Sequence, residues 1–190
     1  AVNRPFEHED LLGVNLSHSS GSDLLGLNYA IGLIPSGLRA NGAASSMHYA
    51  VGAEFKPLDL RGSARTVGAG LSYPLLRTRK RSLWISMDAE RRELVDKALG
   101  QVLRERNLDR LTTMLSGNAW DGWWGGGYFG ASLGWVAGRV DLDNAADRIA
   151  DGLSARTRGS YNKLVWRVER NQSLGGLSNW GLYVGANGQF

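Results

Sequence analysis

The chain has 190 residues, 43% hydrophobic, with 26 glycines, no cysteine, a formal charge of +4 and a pI near 9.6. Without cysteine there is no disulfide framework and no thiolate metal site, and no run of about 18 apolar residues exists to make a transmembrane helix. The basic residues are scattered apart from Arg77, Arg79, Lys80 and Arg81, and no DNA- or RNA-binding signature accompanies them, which argues against a nucleic-acid partner.

From the start, Ala1 to Asp10 lacks a signal-peptide apolar region. Leu11 to Ser19 then sets Leu12, Val14 and Leu16 against Gly13, Asn15 and Ser17. Such alternation is the mark of a strand with one apolar and one polar face. After a turn at Ser20 to Asp23, Leu24 to Leu33 alternates most cleanly, with Leu25, Leu27, Tyr29, Ile31 and Leu33 opposite Gly26, Asn28, Ala30 and Gly32. Pro35-Ser36-Gly37 breaks this run, and Leu38 to Met47 is a weaker strand of small residues.

Tyr49 to Ser63 is expected to be a long connection leading into the segment with the strongest hairpin pattern, Ser63 to Glu90. There Val67, Ala69, Leu71, Tyr73 and Leu75 share one parity, and Leu83, Ile85, Met87 and Ala89 oppose Ser82, Ser86, Asp88 and Glu90 across the basic turn. In Arg91 to Leu108 the spacing of Val95, Leu99, Val102 and Leu103 predicts a short helix within a loop. Leu111 to Ala119 resumes alternation, Asp121 to Gly127 turns the chain, and Tyr128 to Ala137 sets Phe129, Ala131, Leu133 and Trp135 against Gly130, Ser132 and Gly134. A long polar connection follows from Arg139 to Ser160. Tyr161 to Gln172 alternates Leu164, Trp166 and Val168 with Lys163, Arg167 and Glu169, so one face of that strand meets water. Trp180, Leu182, Val184 and Ala186 form a last strand.

The pattern predicts an all-β fold, an antiparallel transmembrane β-barrel to which this chain contributes about nine strands of about ten residues, the length a tilted strand needs to cross a bilayer. Connections near Pro35, Arg77 to Arg81, Trp123 to Gly127 and Ser173 to Asn179 are short, whereas three of four on the opposite edge are long, as in outer-membrane barrels. Trp84, Trp120, Trp123, Trp124 and Trp180 lie near the short-turn ends and are expected to form a membrane-interface girdle. Asn15, Ser17, Asn28, Ser72, Ser86, Asp88, Glu90, Lys163, Arg167 and Glu169 are expected to face the lumen, which inward glycines keep wide. A soluble all-β binding domain with a two-sided core is the alternative, and it would extract into buffer without detergent.

Ala69 to Arg77, reading AGLSYPLLR and ending a strand at a tight turn, resembles a hairpin of the transporters of two-partner secretion, the haemolysin-activator type. Asp23 to Arg39, Tyr49 to Leu60, Gly126 to Arg139 with Asp141, and Gly159 to Leu174 resemble that family in the same order. The resemblance implies a barrel of about 16 strands, wide enough for an aqueous channel, preceded by periplasmic POTRA domains. It further implies location in the bacterial outer membrane, lipid around a monomeric barrel, and export of a large unfolded haemolysin or adhesin through the lumen. Nothing POTRA-like and no VRGY-type loop motif occurs between Ala1 and Phe190, so residues 1–190 are expected to be an internal part of one barrel domain whose two edge strands need further partners.

Chemistry is sparse, and a non-enzyme without cofactor or metal is expected. His8, His18 and His48 lack a metal-ligand spacing. Asp88 and Glu90 share a face as an acid–base pair would, yet no partner base accompanies them, which favours lumen polarity. Besides export, a general porin or an adhesive outer-membrane barrel fits the same residues.

Overall fold

The computed structural model describes residues 2–3, 10–52, 57–154, 156–175 and 180–190. The strands are β1 (Val2–Asn3), β2 (Asp10–Ser19), β3 (Ser22–Gly32), β4 (Arg39–Ala50), β5 (Arg61–Arg77), β6 (Arg81–Ala98), β7 (Gln101–Asp121), β8 (Gly127–Leu142), β9 (Gly159–Ser173) and β10 (Gly181–Gln189). They form one sheet in sequence order, every neighbour antiparallel, with nine long strands and the two-residue β1 at one margin. The sheet does not close: β1 and β10 are its two edges.

The central strands are much longer than the sequence pattern implied, 17, 18, 21, 16 and 15 residues for β5 to β9. The expected helix in Arg91 to Leu108 does not exist. Those residues finish β6 and begin β7, joined by a two-residue turn at Leu99 and Gly100 with φ of 49° and 76°. Two consecutive positive φ values match the twist of a tight hairpin. The helical spacing was coincidental: Val95 is on one strand, Leu99 in the turn, and Val102 and Leu103 on the other. Cross-strand charges reinforce the pairing, with Arg106 Nη2 2.8 Å from Asp96 Oδ2 and Arg110 Nη2 3.0 Å from Glu90 Oε2.

Consequently the edge expected to carry three long connections carries two, residues 51–60 and 143–158, beside tight turns at Ser20–Gly21 and Leu99–Gly100. The second long connection holds the only α-helix among the described residues, α1 (Ala145–Leu153). Arg148 fastens it to the end of β8 by donating to the Leu142 carbonyl at 2.6 Å, and Asp147 accepts from the Glu105 amide at 3.4 Å.

The described residues form no two-sided core. Among the described residues only Val136 and Leu142 are buried hydrophobics, at 6% and 4% exposure. The accessible surface is 13490 Å², whereas a compact folded monomer of 20.6 kDa has about 8,900 Å².

Candidate functional site: two opposed faces of one sheet

Residues paired across an antiparallel ladder point to the same face, so the register assigns every strand residue to a side. Val14 pairs Leu27, which pairs Ala44, which pairs Val67, placing the apolar parities of β2 to β5 together. Leu71 pairs Met87, Ile85 pairs Leu115, Leu115 pairs Leu133, Leu133 pairs Trp166, and Val168 pairs Ala186, which carries the same side to β10. The result is an apolar band across every long strand, and it is exposed: Leu16 is 73%, Leu133 53% and Val184 57% accessible.

The band runs obliquely to the ladder. The register row through Val14 passes Arg91, Asp109 and Arg139 and reaches Ser160 on β9, whereas the apolar segment of β9 is centred on Trp166, six residues further along. Six residues of about 3.3 Å over seven interstrand spacings of about 4.8 Å correspond to a strand tilt of about 30°. On β8 the band extends from Phe129 to Ala137, which at that tilt gives a height of about 23 Å. Both values approach those of barrels embedded in a bilayer, tilted about 35–45° with an apolar band about 25 Å tall. Beyond the band both faces become charged. Arg91, Glu93, Asp109 and Arg139 stand on the apolar side, and Arg92, Asp96 and Arg106 on the other.

The ten residues expected to face a lumen stand on one side of the sheet, opposite the apolar band. Asn15 and Ser17 stand with Asn28 on the β2–β3 pair, Ser72 pairs Ser86, and Asp88 and Glu90 follow on β6. Lys163, Arg167 and Glu169 oppose Val136, Ser132 and Gly130 on that same side. Arg167 Nη2 donates to Glu169 Oε2 at 2.7 Å, Lys163 Nζ to Gln189 Oε1 at 3.3 Å, and Glu90 accepts from Arg110 and lies 3.2 Å from Arg92. One chain of contacts crosses four strands above the band: the Tyr49 hydroxyl donates to Asp96 at 2.5 Å, and Asp96 accepts from Arg106. That bond is the main reason the Tyr49 hydroxyl titrates above its ordinary range.

Two glycines of this face are covered by tyrosine rings. A Cβ on Gly138 would collide with the Tyr161 ring, and one on Gly62 with the Tyr49 ring. The rings thus lie against the neighbouring strand where only glycine permits close approach. The sequence signal was available, a tyrosine and a glycine on one parity of adjacent strands, but it could be recognised only once the register was known.

The tryptophans divide. Trp123 and Trp124 occupy the turn after β7, stacked at 5.4 Å, and with Trp180 they are 66%, 71% and 70% exposed at the short-connection edge. Trp120 is at that edge but pairs Tyr128 on the polar side, ring edge to ring face at 5.0 Å. Trp84 pairs Ser116 on the polar side, so it does not belong with the apolar-face aromatics. Trp135 and Trp166 stand inside the apolar band. The turn is held by Gln172, which is 8% exposed and whose Nε2 donates to the carbonyls of Trp123, Gly126 and Ser173 at 2.7, 3.1 and 3.0 Å. Beside it Arg170 grips Asp121 at 2.8 and 3.0 Å. This guanidinium is the first cause of the lowered Asp121 carboxyl pKa.

Arg79 and Lys80 lie in the Thr78–Lys80 connection and Arg77 and Arg81 flank it; the turn closes by the Thr78 amide donating to the Arg81 carbonyl at 2.8 Å. His18 and His48, far apart in sequence, both flank Asp23 in the ladder, His18 Nδ1 lying 2.5 Å from its carboxylate. Among the described residues no three His, Asp or Glu side chains form a metal-binding group. His8 lies outside the described residues. Comparison of the chain with family models, curated proteins and solved structures finds no match.

Proposed function

We propose that this sheet is part of the wall of a transmembrane β-barrel in the bacterial outer membrane, whose polar face lines a conduit for an exported polypeptide of the haemolysin or adhesin class. The observation that carries the reading is the exposed apolar band opposite a face on which the strands gather charged, polar and small residues, with almost no buried core between or beside them. In water such a surface far exceeds the apolar patches monomers tolerate. In a bilayer it is the required solution, since hydrocarbon solvates one face and the ladder satisfies the backbone. The edges of β1 and β10 are then continued by further strands, because unpaired backbone groups in lipid cost several kcal/mol each.

The polar face supports polypeptide passage over small-solute sieving in one respect. Its charges are of both signs and largely tied into pairs, such as Arg167 with Glu169 and Arg110 with Glu90, so an extended chain meets little net attraction. Two experiments test the reading. On fractionation of expressing cells, the chain is expected in the membrane pellet, released by detergent and not by carbonate or salt; extraction into buffer would refute the membrane assignment. A photo-crosslinker at Arg167 is expected to capture the exported chain in transit. Capture of no polypeptide while small solutes still permeate would identify a general porin instead.

A further inference from the structure

We propose that the margin of the apolar face farthest from the short connections is a binding site for a phosphate-bearing membrane lipid, with Arg91 and Arg139 holding the phosphate. The inference rests on the reading above that this face meets lipid. Immediately inside the charged row Arg91–Asp109–Arg139, the adjoining row of that face carries Ala69, Ala89, Leu111 and Ala137. The next row of that face carries Leu71, Met87, Thr113 and Trp135. The three alanines, on either side of Leu111, leave beneath the charged rim a trough of about 690 Å³ open to the surroundings and lined also by Leu111.

Its chemistry changes across its width as a lipid does from headgroup to chain. The floor of alanines and Leu111 offers methyl groups to the first methylenes, while the rim presents two guanidiniums, the group suited to bidentate phosphate recognition. Those guanidiniums are available. Arg91 Nε reaches Glu93 and Asp109 only at 3.8 and 4.0 Å, beyond hydrogen-bond length. Arg139 is exposed, and the acid two residues on, Asp141, is taken by Arg158 Nε at 3.0 Å. Asp109, between the two arginines, leaves the row one net positive charge. The preference for an anionic headgroup should therefore be modest, about fivefold over a zwitterionic one.

The test is native mass spectrometry of the full chain in micelles titrated with phosphatidylglycerol or phosphatidylcholine. Expected is about fivefold tighter retention of phosphatidylglycerol, lost in Arg91→Gln/Arg139→Gln, kept in Arg91→Lys/Arg139→Lys, and kept in Arg39→Gln/Arg104→Gln, which removes equal charge from the polar face. Equal retention of both lipids by the parent chain, or a preference unchanged in Arg91→Gln/Arg139→Gln, overturns the proposal while the membrane reading stands. Retention of neither lipid by a chain soluble without detergent overturns both.

Discussion

Replacing Leu71 by Arg separates a lipid-facing band from an apolar surface in water. Leu71 lies within the band of β5, between Ala40 and Met87 in the ladder, and is 47% exposed. If that exposure were to water, Leu71→Arg would change little, within about 0.5 kcal/mol as for other surface substitutions. In hydrocarbon near the midplane an arginine costs about 2–4 kcal/mol, falling to about 0–1 at the interface. Val67, on the same face but laddered to Arg91 at the margin, supplies the shallow control, and Ser72, which points the other way and pairs Ser86, the polar-face control. Denaturant unfolding from phosphatidylcholine vesicles, followed by tryptophan fluorescence, should rank the costs Leu71→Arg well above Val67→Arg, and Val67→Arg close to Ser72→Arg. Equal costs for Leu71→Arg and Ser72→Arg would refute the assignment of faces, whatever the strand order.

Three further outcomes are expected. Gly138→Ala should destabilise by about 1–3 kcal/mol through the clash with the Tyr161 ring, and Gly138→Ala/Tyr161→Ala should recover most of it; additive losses in a double-mutant cycle would show the two do not interlock. Gln172→Leu strips the carbonyls of Trp123 and Gly126 of a buried donor and should cost about 1–3 kcal/mol, with faster proteolysis confined to the turn after β7. Asp151, at the end of α1, accepts from the Thr157 hydroxyl and from the amides of Thr157 and Arg158. These bonds, the Thr157 hydroxyl first, lower its pKa below 3.8. A depressed carboxyl pKa contributes stability above the unfolded value that disappears as pH falls through the folded one. Amide protection of Thr157 and Arg158 should therefore hold from neutral pH to about 4 and collapse below it, and Asp151→Asn should weaken it already at neutral pH; protection unchanged at low pH would refute the clasp.

Much of this architecture is written in the parity of side chains. Leu25, Leu27, Tyr29 and Ile31 against Gly26, Asn28 and Ala30 allow only a strand with two unlike faces, and each of the ten polar-face residues follows from parity, because a strand has no third direction in which to point a side chain. What parity lacks is the partner. Residues 91–108 look helical by spacing, and only the ladder of Arg91 to Asp109 and Glu93 to Asn107 makes them a hairpin, since cross-strand pairing overrides a local period when both faces of the segment are polar. Trp84, near a turn and flanked by Leu83 and Ile85, suggests an interface anchor, yet the register through Pro74 and Ser116 sets it on the polar side. The strand tilt, the Tyr161–Gly138 and Tyr49–Gly62 contacts and the meeting of Arg91, Asp109 and Arg139 are likewise decided by tertiary structure alone. Each depends on how far one strand slides past the next, and that offset is fixed by the ladder as a whole rather than by any stretch of sequence.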